Sequence, residues 1–442
     1  MDLRKKLQRL RQASQGGEPA MPFRDEEKVI VRGPSTKAAV DVGGNKAEQL
    51  RDKNDRIARL RLLIGEVVEK DRRSGARAPR QRPARWQELP GKRLDTEQGP
   101  LHVCGQYLEP DHFHGRVPVA SALEVGSKMV AELALDASLG DVDLERMLIL
   151  DTETTGLAGG TGTVAFLVGL AWFEEGALRV EQLLLENFGQ ELPVLHRVAE
   201  RLNWSSCLVT YNGKCFDWPL VRTRFVMNHL SPPPDPPHVD LLHCARRVFR
   251  PRMAELRLND VERQVLGFYR EGDVDGSEIP GILQVLEHNL NDLVSLAALL
   301  GKLGKHFDRV QRADDPRDHL AFARLASRAG DQERALSFAT AAVEGTGSDN
   351  VAVDALVLTA RLARGQGDHQ AQAQALHRAL GAGPDQEAAA AIHLALAKLY
   401  EHKLKDLGRA LEHARQALEA EGEEGNQRRL QRIERKASRR AG

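Results

Sequence analysis

The sequence predicts an α/β domain, a mixed sheet flanked by helices, followed by an all-α helical-repeat domain. Three observations carry that prediction. Short apolar runs at residues 147–150, 163–173 and 208–211 have the length of strands, and two of them run straight into polar, chemistry-bearing residues. Apolar residues at helical spacing occupy 287–296. Beyond Asp314 the composition turns to Ala, Leu, Arg and Gln, and short phrases recur at a fixed interval.

A chain of 442 residues is too long for one ordinary core, and 41% hydrophobic residues suffice to build more than one. Lys+Arg and Asp+Glu balance at 63 each, so overall charge gives no argument for nucleic-acid binding. The balance is uneven, however. Residues 1–100 carry an excess of roughly nine positive charges, and the remainder is net acidic. Cys104, Cys207, Cys215 and Cys244 form no CxxC pair, and no apolar leader precedes them, so free thiols in a cytoplasmic protein are expected. No run approaches the ~18 apolar residues of a membrane span, so no membrane partner is expected.

Residues 1–94 read as a basic N-terminal arm and linker. The first 45 are polar and expected to be disordered. Over 47–73, Leu50, Ile57 and Ile64 fall seven apart, with Leu60 and Val67 alongside, which predicts a charged amphipathic helix that either docks on its own domain or pairs with a second copy. Residues 73–93 are rich in Arg and Pro and read as a solvated linker, with Trp86 and the arginines as the groups that would touch nucleic acid if it did more. An ordered lead-in covers 95–145, and the α/β domain proper runs over 146–303.

The repeat region is placed at 315–422, with a basic tail at 423–442. Arg324-Leu325-Ala326 with Gly330-Asp331 recurs as Arg361-Leu362-Ala363 with Gly367-Asp368, and a third copy reads Lys398-Leu399-Tyr400 with Lys405-Asp406. A helix–turn–helix unit of this length with small residues at the contacts resembles tetratricopeptide repeats, and repeats of that kind imply a protein partner.

The chemistry begins at residues 151–157, DTETTGL. On a strand, Asp151 and Glu153 project to the same face, where two carboxylates repel unless a cation lies between them. Oxygen donors suit Mg²⁺ or Mn²⁺. The glycine-rich stretch 159–162 lacks the GK[ST] of a phosphate-cradling loop and reads as a tight turn. A later strand ends in Asn212-Gly213-Lys214-Cys215-Phe216-Asp217, which delivers a third carboxylate to the start of a helix. His288 and Asp292 are four apart and share a face of a third element.

DTETTGL, then NxxxFD, then a His shortly before a final Asp resembles the ordered signature of the DEDD exonucleases. The longer phrases DTETTGLAGGTGTVAFLVGLAWF, VTYNGKCFDWPLV, HVDLLHCARRVFR and EHNLNDLVSLAAL are similar to the YprB-like ribonuclease H-like domains, which tetratricopeptide-like repeats often follow. The resemblance implies a ribonuclease H-like fold and a 3′–5′ exonuclease that hydrolyses phosphodiester bonds with two Mg²⁺ or Mn²⁺ ions. It implies metal ligation by Asp151, Glu153, Asp217 and Asp292, and substrate contacts from Asn212, Lys214, Thr154 and Phe216. His288 would be the general base on the attacking water or a positioned neighbour of it. The alternatives remain open because it stands four residues before Asp292, where the tyrosine-type enzymes place a Tyr. Asp240, ending another strand, is expected beside the site. Single-stranded or frayed DNA or RNA is the expected substrate. Two other functions fit the same residues: a non-catalytic nucleic-acid or protein-binding scaffold, and a structure-specific endonuclease.

Two further groups have simpler readings. His112 and His114 have no third ligand nearby and are expected to be structural, while Arg246, Arg247, Arg250 and Arg252 are either a backbone-binding groove or a solvated helix face.

Overall fold

The first half of strand β5 (Met147–Thr154) is apolar without a break, and a strand of that kind belongs inside a sheet covered on both faces. The computed structural model, which describes residues 90–155, 162–185, 187, 189–270, 281–345 and 349–441, places it there. The expected disorder and amphipathic helix of the arm, its linker up to residue 89 and residues 159–161 of the glycine-rich turn lie outside the described residues.

Seven strands form one mixed sheet. Besides β5 they are β1 (Lys92–Thr96), β2 (Gly99–Leu108), β6 (Ala165–Glu174), β7 (Ala177–Leu184), β8 (Cys207–Thr210) and β9 (His238–Asp240), in the order β1-β2-β7-β6-β5-β8-β9. Neighbours from β1 through β5 are antiparallel, and β8 and β9 run parallel to β5. Strand β1 straddles residue 95 and β2 follows it, so the lead-in supplies β2 and part of the sheet edge. The short strands β3 (Phe113–His114) and β4 (Val117–Pro118) pair separately.

Alternation along β5 sorts its side chains onto two helical layers. Met147 and Ile149 pack on the side of the long helix α6 (Ile282–Asp308), with α1 (Ser127–Ala134) and α4 (Leu241–Phe249). Leu148 and Leu150 pack against α2 (Leu192–Trp204) and α3 (Asp217–Met227). The short helix α5 (Leu258–Val261) continues into a wide turn over Glu262–Leu266.

An all-helical region follows: α7 (Pro316–Ala329), α8 (Gln332–Glu344), α9 (Asp349–Gly365), α10 (His369–Gly381), α11 (Gln386–Leu399), α12 (Leu407–Arg415), α13 (Leu418–Glu421) and α14 (Glu423–Ala441). The recurring Gly-Asp phrase has a mechanical reason. Gly330 and Gly367 adopt the left-handed conformation that ends one helix, and Asp331 and Asp368 then cap the next through the backbone N–H groups of Arg334 and Ala371. In the third copy Lys405 takes the left-handed position and Asp406 caps α12. It comes one residue late, and a wide turn over Tyr400–Leu404 absorbs the extra residue. No described helix is long and apolar enough to cross a membrane.

Candidate active site

Because Asp151 and Glu153 continue the alternation of Met147 and Ile149, they face α6. That helix meets them with His288, Asn289 and Asp292. Asn289, fully buried, donates from Nδ2 to Asp151 Oδ2 at 2.8 Å, and its Oδ1 accepts from Gln182 Nε2 at 3.0 Å. Gly169 stands opposite Asp151 in the β5–β6 ladder, and a Cβ there would overlap the Asn289 amide, so the glycine makes this approach possible. His288, half exposed, places Nδ1 3.2 Å from Glu153 Oε1 and 3.5 Å from Asp292 Oδ2.

Asp217 arrives from the other layer. Thr152, between the two acidic residues, points to the opposite face and donates to Asp217 Oδ1 at 2.5 Å. The turn that carries Asp217 is pinned by Asp240, whose buried carboxylate accepts from the backbone N–H of Asn212 at 2.8 Å and of Lys214 at 3.1 Å. Asn212 is left-handed (φ 67°), a conformation that Asn tolerates better than most residues. Asp240 also caps α4 through the N–H of Leu242.

Burial and mutual repulsion dominate the electrostatics. Asp151 is held well above the usual carboxylate range, first by desolvation and then by the charges of Asp292, Asp217 and Glu153. Desolvation pushes Asp217 up to about 6, against the hydrogen bond from Thr152. Asp292 is raised by burial even though His288 and Arg270 oppose it. Burial lowers His288, but its hydrogen bond to Glu153 and the charges of Asp292 and Glu153 outweigh this and leave it raised.

Four carboxylates in one another's field, with too little positive charge between them, have the donor chemistry of a site for a hard divalent cation. Among the described residues no three His, Cys, Asp or Glu side chains are gathered tightly enough to hold an ion as they stand. The donors fit in kind, and the carboxylates would draw closer around an ion. Among the described residues Arg270 Nη1 is buried without a hydrogen-bond partner.

The other expected contact residues are dispersed. Asn212 is exposed at the tip of β8, Phe216 is half-buried immediately before α3, and Thr154 is half-buried opposite Ala165. Lys214 extends to Asp136, 3.7 Å away. Arg252 and Arg247 of the basic cluster are engaged inside the protein, on Asp318 and on the carbonyl of Leu133. His114 is structural: it bonds Ser295 Oγ at 2.7 Å and stacks on Phe268. Sequence reading passed over the parts Asn289, Gln182, Gly169 and Arg270 play. Asn289, beside His288, had a local signal; Arg270, 22 residues from the Asp292 it touches, had none.

The sheet order and the acidic pair on β5 define the class of ribonuclease H-like proteins, and a family model described as the RNase_H superfamily matches residues 148–284. That match includes Asp151, Glu153, Asp217 and Asp240 and stops short of His288 and Asp292. The uncharacterized protein YprB of Bacillus subtilis (strain 168) is 32% identical over 290 residues, which span 62% of this chain and 69% of that protein. The chain belongs to the YprB family of ribonuclease H-like proteins.

Proposed function

We propose that the α/β domain is a divalent-metal-dependent nuclease, a 3′–5′ exonuclease acting on single-stranded or frayed nucleic-acid ends. The observation that carries the reading is the cluster of Asp151, Glu153, Asp217 and Asp292, brought from β5, α3 and α6 to one end of the sheet with His288 beside them. Asp151, Glu153, Asp217 and Asp292 would hold two Mg²⁺ or Mn²⁺ ions, which when bound supply charge against the phosphodiester and lower the pKa of water. The chain's own work is positioning. Asn289 fixes the rotamer of Asp151, Thr152 orients Asp217, and Asp240 holds the turn beneath it. His288 Nδ1 faces two carboxylates and would donate to them, which leaves Nε2 of the half-exposed ring to take a proton from an attacking water. The helical region, read as tetratricopeptide-like, would recruit a protein partner.

The test is incubation of the purified full chain with end-labelled single-stranded DNA and RNA in Mn²⁺ or Mg²⁺, beside Asp151→Ala. A ladder receding from the 3′ end, absent in the variant and in chelator, is expected. Internal cuts would favour the endonuclease reading. Binding without cleavage of either polymer would leave a nucleic-acid-binding scaffold.

A further inference from the structure

Behind Asp292 lies a buried chain of polar side chains that no step above uses. Arg270 donates from Nε to Glu262 Oε2 at 2.7 Å and from Nη2 to Glu262 Oε1 at 2.6 Å, and the same Nη2 reaches Asp292 Oδ1. Ser295 donates to Glu262 Oε1 at 2.5 Å, and its oxygen lies 2.7 Å from His114 Nε2. With the Ser295 proton committed to Glu262, the proton between His114 and Ser295 sits on Nε2. Glu262 is 1% exposed and Arg270 9%.

This arrangement answers a charge problem. A guanidinium touching Asp292 would normally occupy the place of a cation and compete with any ion for that carboxylate. Here the guanidinium is already spanned by a second, fully buried carboxylate, so the pair is neutral as a unit. Glu262 opens the wide turn that follows α5, and such turns place a side chain where a regular helix would not. Resting on the metal reading above, we infer that Glu262 is a positioning residue that neutralises Arg270, so that Arg270 holds Asp292 by a hydrogen bond while Asp292 keeps its charge for the ion.

The test is Mn²⁺ affinity without substrate, measured by calorimetry and electron paramagnetic resonance on the full chain. Glu262→Gln leaves Arg270 an uncompensated cation against Asp292, and Mn²⁺ affinity falls roughly 10–100-fold. The double variant Glu262→Gln/Arg270→Gln removes both charges and returns affinity to within about tenfold of the unaltered protein. It also carries the test if the single variant fails to fold, since it removes the charges of Glu262 and Arg270 together and leaves no guanidinium without its Glu262 partner. Unchanged affinity in Glu262→Gln, or a double variant roughly 100-fold or more weaker than the unaltered protein, overturns the inference. Failure of the unaltered protein to bind Mn²⁺ is a different result: it overturns the metal reading itself, and this inference with it.

Discussion

Two buried carboxylate sites in this chain are built on opposite rules. In the helical region Glu401 is fully buried, yet Arg429, Arg432 and Lys436 all reach it, at 3.3, 2.8 and 2.7 Å. Burial alone would raise its pKa, but the hydrogen bonds from Arg432 and Lys436 and the charges of Arg432 and His402 pull it down to about 2. At the sheet end burial raises Asp151, Asp217 and Asp292; repulsion from the neighbouring carboxylates adds to it at Asp151, while Thr152 at Asp217 and His288 with Arg270 at Asp292 oppose it without cancelling it. Complete pairing from within the chain marks a joint. At the sheet end the pairing is incomplete, and carboxylates buried that way cost stability.

Asp151→Asn separates the two rules most sharply. It is expected to cut nuclease turnover on the order of 10³-fold or more, while raising the melting temperature in chelator because one unmatched charge is gone. A lower melting temperature in chelator would break the comparison. Glu401→Gln should do the reverse, leaving cleavage chemistry intact and costing about 3 kcal/mol in denaturant unfolding. Gly169→Ala drives a methyl group into the Asn289 amide and frees the Asp151 rotamer. Mn²⁺ affinity should drop roughly 10–100-fold, as for other changes behind a ligand.

The smallest effect concerns pH. Among the described residues His413 lies against His393, with 2.9 Å between their Nδ1 atoms, and against His377. Burial, then the charges of His393 and His377, lower His413 to about 4. A histidine whose folded pKa lies below the unfolded value of about 6.5 binds its proton more readily in the unfolded chain. Stability is therefore full above pH 6.5 and declines as pH falls toward 4. Hydrogen exchange over α10–α12 at pH 7 and pH 5 should show faster opening at the lower pH, and equal protection would count against the assignment.

The parts of this architecture legible in the sequence are those whose signal is local. β5, β6 and β8 are short apolar runs, and Asp151 and Glu153 share a face because a strand alternates. The helical region announces itself through αL residues and Asp caps. Strand β2, between the edge strand β1 and β7, carries Pro100, His102 and Gly105 instead of a clean alternation, and pairing with β7 defines it more than its own composition does. The supports of the site were hidden for a related reason. Gln182, Glu262 and Arg270 are ordinary polar residues until the fold brings Gln182 to Asn289 and the Glu262–Arg270 pair to Asp292. The wide turn over Tyr400–Leu404 likewise shows in the sequence only as a third copy that drifts by one residue.

Helix α6 runs for 27 residues, roughly 40 Å, and belongs to both parts of the molecule. Near its start it holds His288 and Asp292; at its far end Phe307 is fully enclosed, stacked on Phe322 of α7 and Phe338 of α8. Severing the chain anywhere near residue 303 would strip that aromatic end bare and leave a greasy stub on a helix that also carries His288 and Asp292. The α/β half is thus not a portable module. Whoever wishes to dissect this protein will have to keep at least α7 and α8 attached.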